Sequence, residues 1–285
     1  MVILSILDLM FKLSTTILSN LFNACHIDST TDHELEWIEH CGIHSVWRYA
    51  HPTHPLIIKR YHPGWLAAFP WHAQNLIAAE TITYADPTLP VIRPYSPSPL
   101  MLDGALWALY PFHQSESPPQ QYWLDIQNLR AVLKAPLSSC TKVVPPPKLT
   151  SDQKRLLEPL QQAQAALKHS PHPAFTHTAH RDLRPSNVIW IRQKPYAIDL
   201  EHSGPRAELT DQLALAIDWN QPWPQVQSTE QMKHACAALL DEWSLWLEQL
   251  LYLSPQNPDI EARFHHQKTL TFQALKNMAL HDRFN

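Results

Sequence analysis

Glycine is nearly missing from this chain: four in 285 residues, Gly42, Gly64, Gly104 and Gly204. That spacing excludes a G-x-G-x-x-G phosphate loop. It also means that few positions take a positive φ cheaply, so each surviving glycine is informative. Cysteine is equally sparse. Cys25, Cys41, Cys140 and Cys236 are scattered and form no CxxC. A zinc or disulfide framework is therefore not expected, and a reducing, cytoplasmic setting fits. Only 17% of residues are charged, the net charge is −4 with His neutral, and no basic block occurs. Nucleic acid is excluded as the expected partner. The eighteen histidines suggest no function by themselves. What is present in quantity is apolar: 45% hydrophobic residues, enough for a globular core, with 26 prolines between elements.

One long apolar stretch exists, residues 1–24, but Asp8 and Lys12 interrupt it. It lacks the basic start and A-x-A site of an export signal, and Phe22-Asn23-Ala24-Cys25 is a poor lipoprotein box. On a helix, Ile3, Ile6, Leu7, Met10, Ile17, Leu18 and Leu21 share one face, opposite Ser5, Asp8, Lys12, Thr16 and Ser19. The expectation is a helix packed on its own domain. A membrane-surface helix would carry a Lys/Arg fringe that this one lacks.

Hydrophobic periodicity predicts α+β architecture. Val46–Tyr49 and Leu56–Tyr61 read as strands around the turn segment His51-Pro52-Thr53-His54-Pro55. A helix near Trp71–Tyr84 follows, then extended runs near Val91–Arg93 and Ala105–Tyr110. Residues 121–136 read as helix, and Val143-Val144-Pro145-Pro146-Pro147 as a stiff connector. Thr150-Ser151-Asp152-Gln153 supplies a capping box for a helix running to about Lys168. After Gly204 the pattern is helical at 209–219, 228–252 and 258–280. The expected organisation is a helix at 1–30, a β-rich lobe at 31–112 and a mostly helical lobe at 113–285.

The chemistry concentrates in His180-Arg181-Asp182-Leu183-Arg184-Pro185-Ser186-Asn187 and, twelve residues later, Ile198-Asp199-Leu200-Glu201. Two carboxylates, a guanidinium and an amide in a short strand–loop–strand suit phosphoryl transfer. Positioning and charge neutralisation carry most of that reaction. Asp182 and Asn187 are five apart with Pro185 between them, so a curled loop can aim both at one point. Asp182 would orient an attacking hydroxyl, and Asn187 would bind a metal. Arg184 can reach a phosphate oxygen. Asp199 ends an apolar strand, where a carboxylate is costly unless paired, and Mg²⁺ would pair it. Each residue alone is more often structural: Asp199 could cap a turn, and His180 reads as a buried brace. It is the constellation that points to catalysis.

These two motifs resemble the signatures of aminoglycoside phosphotransferase and choline-kinase-like enzymes, small-molecule kinases with a bilobal protein-kinase-like fold. Asp199 to Gly204 has that family's spacing, and Asp211-Gln212-Leu213-Ala214 resembles the acidic helix start that follows. The resemblance is sharp over about 175–216 and diffuse over 35–115. It implies ATP (or GTP) and Mg²⁺ as cofactors, Asn187 and Asp199 as metal ligands, and Asp182 as base or orienter. It implies Lys59 as the phosphate lysine and Glu80 as its ion-pair partner. Leu109-Tyr110-Pro111-Phe112 would be the adenine hinge, acting through backbone groups. Asp211, Asp218, Trp219, Trp223 and Trp243 lie where such enzymes build acceptor pockets, although tryptophans at helical spacing are usually core. Asp199-Leu200-Glu201 in place of D-F-G, and the absence of A-P-E, argue against a protein kinase. The expected acceptor is a small molecule: an amino alcohol, a sugar, a glycolipid or an antibiotic. The alternatives are a non-catalytic kinase-like binding module, and a membrane-associated kinase of lipid or cell-envelope sugars that uses residues 1–24.

Overall fold

The computed structural model describes residues 13–27, 35–38, 44–50, 54–97, 99–134, 148–167, 173–256 and 258–281. Residues 1–12, Gly42 and Ile43, and the connector 143–147 lie outside them. The chain divides into two compact units, Met1–Tyr122 with Ile189–Glu201, and Trp123–Val188 with His202–Asn285.

The first unit is built on a five-stranded antiparallel sheet of order β1-β2-β3-β5-β4. The strands are β1 (Leu35–Trp37), β2 (Ser45–Tyr49), β3 (Leu56–Arg60), β4 (Leu100–Leu102) and β5 (Ala105–Pro111). β5 is buried on both faces. Ala105, Trp107 and Leu109 join Trp47, Tyr49, Leu56 and Ile58 on one side. Leu106 and Ala108 join Tyr61 and Leu76 on the other. The first of these faces is covered by α1 (Thr15–Ala24), N-capped by Ser14. Leu21 and Phe22 are fully buried there, with Leu13, Ile17 and Leu18 packed alongside. The described half of the N-terminal amphipathic helix is therefore core. Each fully buried apolar side chain of this kind contributes about 1.5–3 kcal/mol.

The opposite face meets α3 (Pro70–Ala85), preceded by a short helix, α2 (Pro63–Ala68), that the apolar pattern did not announce. His62 caps α2 by accepting from the Trp65 N–H, a cap that only a tautomer with a bare Nδ1 can make. The extended run at Val91–Arg93 is not a strand of this sheet. Val91 makes an isolated parallel bridge to Ala197.

That bridge explains why Ile189–Glu201 belongs to the first unit and not to the helical lobe expected after residue 112. The hairpin of β7 (Val188–Ile191) and β8 (Lys194–Ala197) is tied at its base by Ile92 N–H to Ala197 O (3.0 Å) and Ala197 N–H to Pro90 O (2.9 Å). At its tip, Arg192 and Gln193 both take positive φ (50° and 62°), the two-residue turn that favours Asn-Gly. Without glycine, the turn is held from outside: the Glu116 carboxylate accepts both backbone N–H groups at 3.1 and 3.0 Å.

The second unit is mostly helical: α4 (Tyr122–Val132), α5 (Ser151–Arg155), α6 (Glu158–Ala166), α7 (Glu208–Asp218), α8 (Thr229–Leu253) and α9 (Pro258–His281). The Thr150–Gln153 capping box forms as its sequence predicts. The helix that it starts does not reach Lys168 unbroken. Pro159 lacks the N–H that a continuous helix needs, and the chain restarts as α6. A two-stranded ribbon of β6 (His177–Ala179) and β9 (Gly204–Arg206) pairs Ala179 with Gly204 and brackets the loop between them.

Candidate active site

The first unit carries a cluster around Lys59. β3 aims this lysine to the α3 side of the sheet, opposite Ala108. Its Nζ lies 2.5 Å from Asp199 Oδ1 and 3.4 Å from Glu201 Oε2, across some 140 residues of sequence. Burial alone would push the ammonium down. The two carboxylates override it and hold Lys59 above the usual lysine range. Asp199 sits at φ 64°, a left-handed conformation that Asp tolerates better than most residues. A 3-10 turn, Leu200–His202, then brings Glu201 back to the same ammonium.

The expected Lys59–Glu80 ion pair is not among the bonds of this cluster. Glu80 is buried on α3, and its Oε1 accepts from both Tyr61 (3.1 Å) and Tyr110. Its Oε2 is buried without a hydrogen-bond partner. Burial raises the Glu80 carboxyl to about 7, although the tyrosine hydroxyls and Lys59 pull it the other way. The Lys59 ammonium instead bonds Asp199 and Glu201. Glu80 therefore stands outside the Lys59 cluster.

Within the hinge segment 109–112, at the end of β5, some polar groups are already committed. Tyr110 is a strand residue in register with Ile57, and its hydroxyl is spent on Glu80. Phe112 N–H donates to Pro55 O at 2.8 Å, so it is not free for a base, and its ring lies under the Arg48 guanidinium. Leu109 O already accepts from Tyr95 N–H. By strand alternation, the next carbonyl along this edge is that of Pro111, the last residue of β5.

The second unit carries the loop 180–187. Arg184 donates to Asp182 Oδ2 at 2.9 Å, and Asn187 Nδ2 reaches the same oxygen at 2.8 Å and the Asp182 carbonyl at 2.9 Å. Arg184 thus grips Asp182 and is not extended toward a phosphate. Asp182 Oδ1 takes no hydrogen bond among the described residues. Pinning its amide nitrogen leaves Asn187 Oδ1 as the oxygen that can face a cation. His180 is buried, and its Nδ1 accepts from Asp182 N–H at 3.4 Å, the bracing role its sequence suggested. Trp219 Nε1 donates to the Leu183 carbonyl at 2.7 Å, so this tryptophan buttresses the loop.

Beneath the loop lies an ionic brace that the motif did not reveal. Arg206 is buried and bonds both Glu242 oxygens, Asp211 Oδ1 and the carbonyl of Arg181. Arg181 is held at φ 67°, strained for a residue with a Cβ. Its guanidinium reaches Glu242 at 3.5 Å and lies over Gly204, where an added Cβ would stand 2.9 Å from Arg181 Nη1. A side chain at position 204 would have to displace the Arg181 guanidinium from that space. Asp211 also pairs with Arg130 (3.0 Å), which places it in the brace and not in an acceptor pocket.

Asp218, at the end of α7, is exposed, and its carboxyl is pushed up. The protein crowded around it is the first cause and Asp182 the second. Contact with open water weakens the crowding, so the Asp182 charge carries more of the shift than it would in a core. Trp223, with Trp123, Gln127, Arg130 and Gln212, lines a recess of about 180 Å³, while Trp243 is half-buried on α8.

Among the described residues, no group of three or more His, Cys, Asp or Glu could hold a metal. The oxygen donors Asp199 and Asn187 nevertheless suit Mg²⁺, which is commonly held by one or two protein oxygens together with water and phosphate. The two belong to different units, so their joint assignment rests on the motif spacing.

No family model and no curated protein sequence matches the chain. Solved structures do. A spectinomycin phosphotransferase, APH(9)-Ia, solved with ADP and spectinomycin, aligns over 93% of this chain and 99% of its own at TM-score 0.56 and 12% identity. A thermostable mutant of the aminoglycoside phosphotransferase APH(4)-Ia, solved with AMP-PNP and hygromycin B, covers 90% and 98% at TM-score 0.55 and 9% identity. Amicoumacin kinase hAmiN, solved with AMP-PNP and Ca²⁺, covers 90% and 92% at TM-score 0.54 and 12% identity. The fold is the bilobal, protein-kinase-like α+β fold of the aminoglycoside phosphotransferases.

Proposed function

We propose that the chain is an ATP-dependent phosphotransferase that moves the γ-phosphoryl group to a hydroxyl of a small molecule. The observation that carries this reading is the contact of Lys59 with Asp199. A phosphate-type lysine and a metal-type carboxylate, 140 positions apart, meet at 2.5 Å on one unit. The fold supports it, because the similar structures include small-molecule kinases and phosphotransferases solved with ADP or AMP-PNP.

In this reading Lys59 neutralises nucleotide phosphate, and the adenine edge is met by backbone groups of the hinge segment, the Pro111 carbonyl among them. Mg²⁺, held by Asp199 and Asn187, supplies charge neutralisation of the phosphates. Asp182 Oδ1 accepts the hydrogen bond of the acceptor hydroxyl. The hydroxyl oxygen bonds to the γ-phosphorus, the bond from that phosphorus to the bridging oxygen breaks, ADP leaves, and the hydroxyl proton passes to Asp182 or to solvent. Arg184 and Asn187 fix Asp182 Oδ2 and so aim Oδ1. A cationic group on the acceptor, such as that of an amino alcohol or an aminated sugar, would relieve the repulsion between Asp182 and Asp218 that helps hold the Asp218 carboxyl up.

The test is ADP release with Mg²⁺-ATP across a panel of amino alcohols, sugars, glycolipids and aminoglycoside-type antibiotics. Release that depends on one acceptor and is lost in Asp182→Asn supports the reading. Mg²⁺-ATP binding with no turnover on any acceptor would favour a non-catalytic binding module.

A further inference from the structure

We infer that Glu201, not Glu80, is the carboxylate that positions Lys59 for nucleotide phosphate, and that His44 holds Glu201 in place. The inference rests on the phosphotransferase reading above.

Glu201 is buried, and its Oε2 lies 2.7 Å from His44 Nε2 and 3.4 Å from Lys59 Nζ. The tautomer of His44 follows from its other nitrogen. His44 Nδ1 accepts the His62 backbone N–H at 2.9 Å, so the ring proton resides on Nε2 and donates to Glu201. The imidazole is itself fixed edge-on to Tyr61 at 5.0 Å. Glu201 is therefore oriented from two sides, by a backbone turn and by a ring whose own position is set. Glu80, on the same side of the sheet, is committed to two tyrosine hydroxyls and makes no ion pair with the lysine.

Two carboxylates around one ammonium allow a division of work. If Asp199 serves a metal, it is shared between cation and lysine. Glu201, held by His44, then keeps Lys59 aimed whichever way Asp199 turns. The site thus contains a structural reason for the acidic residue two positions beyond Asp199.

Isothermal titration of the full chain with ADP, with and without Mg²⁺, and with adenosine tests this, alongside the Tm of each variant. Glu201→Gln is expected to weaken ADP binding about tenfold, the scale of one charge-assisted hydrogen bond, in both metal conditions. Adenosine binding is expected to stay unchanged, because adenosine carries no phosphate. Glu80→Gln is expected to leave ADP affinity as it is. His44→Ala should show part of the Glu201→Gln loss, and His44→Gln should restore it by returning an N–H donor to Glu201. ADP weakening in Glu80→Gln but not in Glu201→Gln would overturn the inference. So would equal weakening of ADP and adenosine in Glu201→Gln with a fall in Tm, the signature of a merely structural residue. Wild-type protein that binds adenosine and ADP equally would instead sink the phosphotransferase reading, and this inference with it.

Discussion

Asp182 accepts two donors on one oxygen and leaves the other unbonded among the described residues, the asymmetry that the proposed role of a base would need. Asp182→Asn is expected to keep nucleotide binding and to lower turnover by about two to four decades, as for other acid–base groups. ADP release with any acceptor found by screening measures it, and unchanged turnover would remove Asp182 from the chemistry. Glu80 gives a pH prediction. Its carboxyl is raised from 4.5 in the unfolded chain to about 7 in the fold. Between those values the native state binds the extra proton, so stability is fullest below 4.5 and is lost as pH rises through 7. The loss amounts to about 3 kcal/mol. Glu80→Gln removes this slope, so the variant should gain on wild type in urea unfolding at pH 8 and lose that gain near pH 5. Parallel pH profiles would show that Glu80 is ionised throughout.

At the scale of elements, the loop 180–187 is held from outside itself. Arg206 on β9 reaches Glu242 on α8, Asp211 on α7 and the strained Arg181 carbonyl together. Arg206→Ala would leave Asp211 with Arg130 alone and the half-buried Glu242 with Arg181 alone, and denaturant unfolding should show a loss of about 3 kcal/mol, the low end for breaking a buried pair. Arg206→Lys should recover little, because an ammonium cannot reproduce the fork of contacts. A change below about 1 kcal/mol would mean that the brace is surface-like. α1 makes a similar point. Leu21 is fully buried against the sheet, so Leu21→Ala should cost about 2–5 kcal/mol. A stability unchanged by that substitution, with liposome binding reduced, would restore the membrane-helix alternative. Local signals made much of this level legible: the Thr150 capping box, the strands of the sheet and the long helices after Gly204. The break before Pro159 was legible too, in a proline that the apolar period outweighed. α2 was not, because its six residues carry no periodic stripe. The hairpin 189–201 joins the first unit through backbone bonds to Pro90, Ile92 and Glu116, and such bonds leave no trace in side-chain pattern.

For the molecule as a whole, the fold is shared with structures only 9–12% identical, so little beyond the motif segments could have announced it. The bracing of the loop 180–187 was legible in the close spacing of Asp182, Arg184 and Asn187, which the fold ties to one carboxylate oxygen. Partners set by three-dimensional competition were not. Lys59 bonds Asp199 and Glu201 while Glu80 takes two tyrosine hydroxyls, and Phe112 N–H is spent inside the fold. The proposed nucleotide site is built on Lys59 and Asp199. Its most direct test is the thermal shift of wild type and Asp199→Ala with ATP, with and without Mg²⁺. A rise in Tm that needs Mg²⁺ and appears only in wild type is the expected result. The same Mg²⁺-dependent rise in Asp199→Ala, or none in wild type, would contradict it.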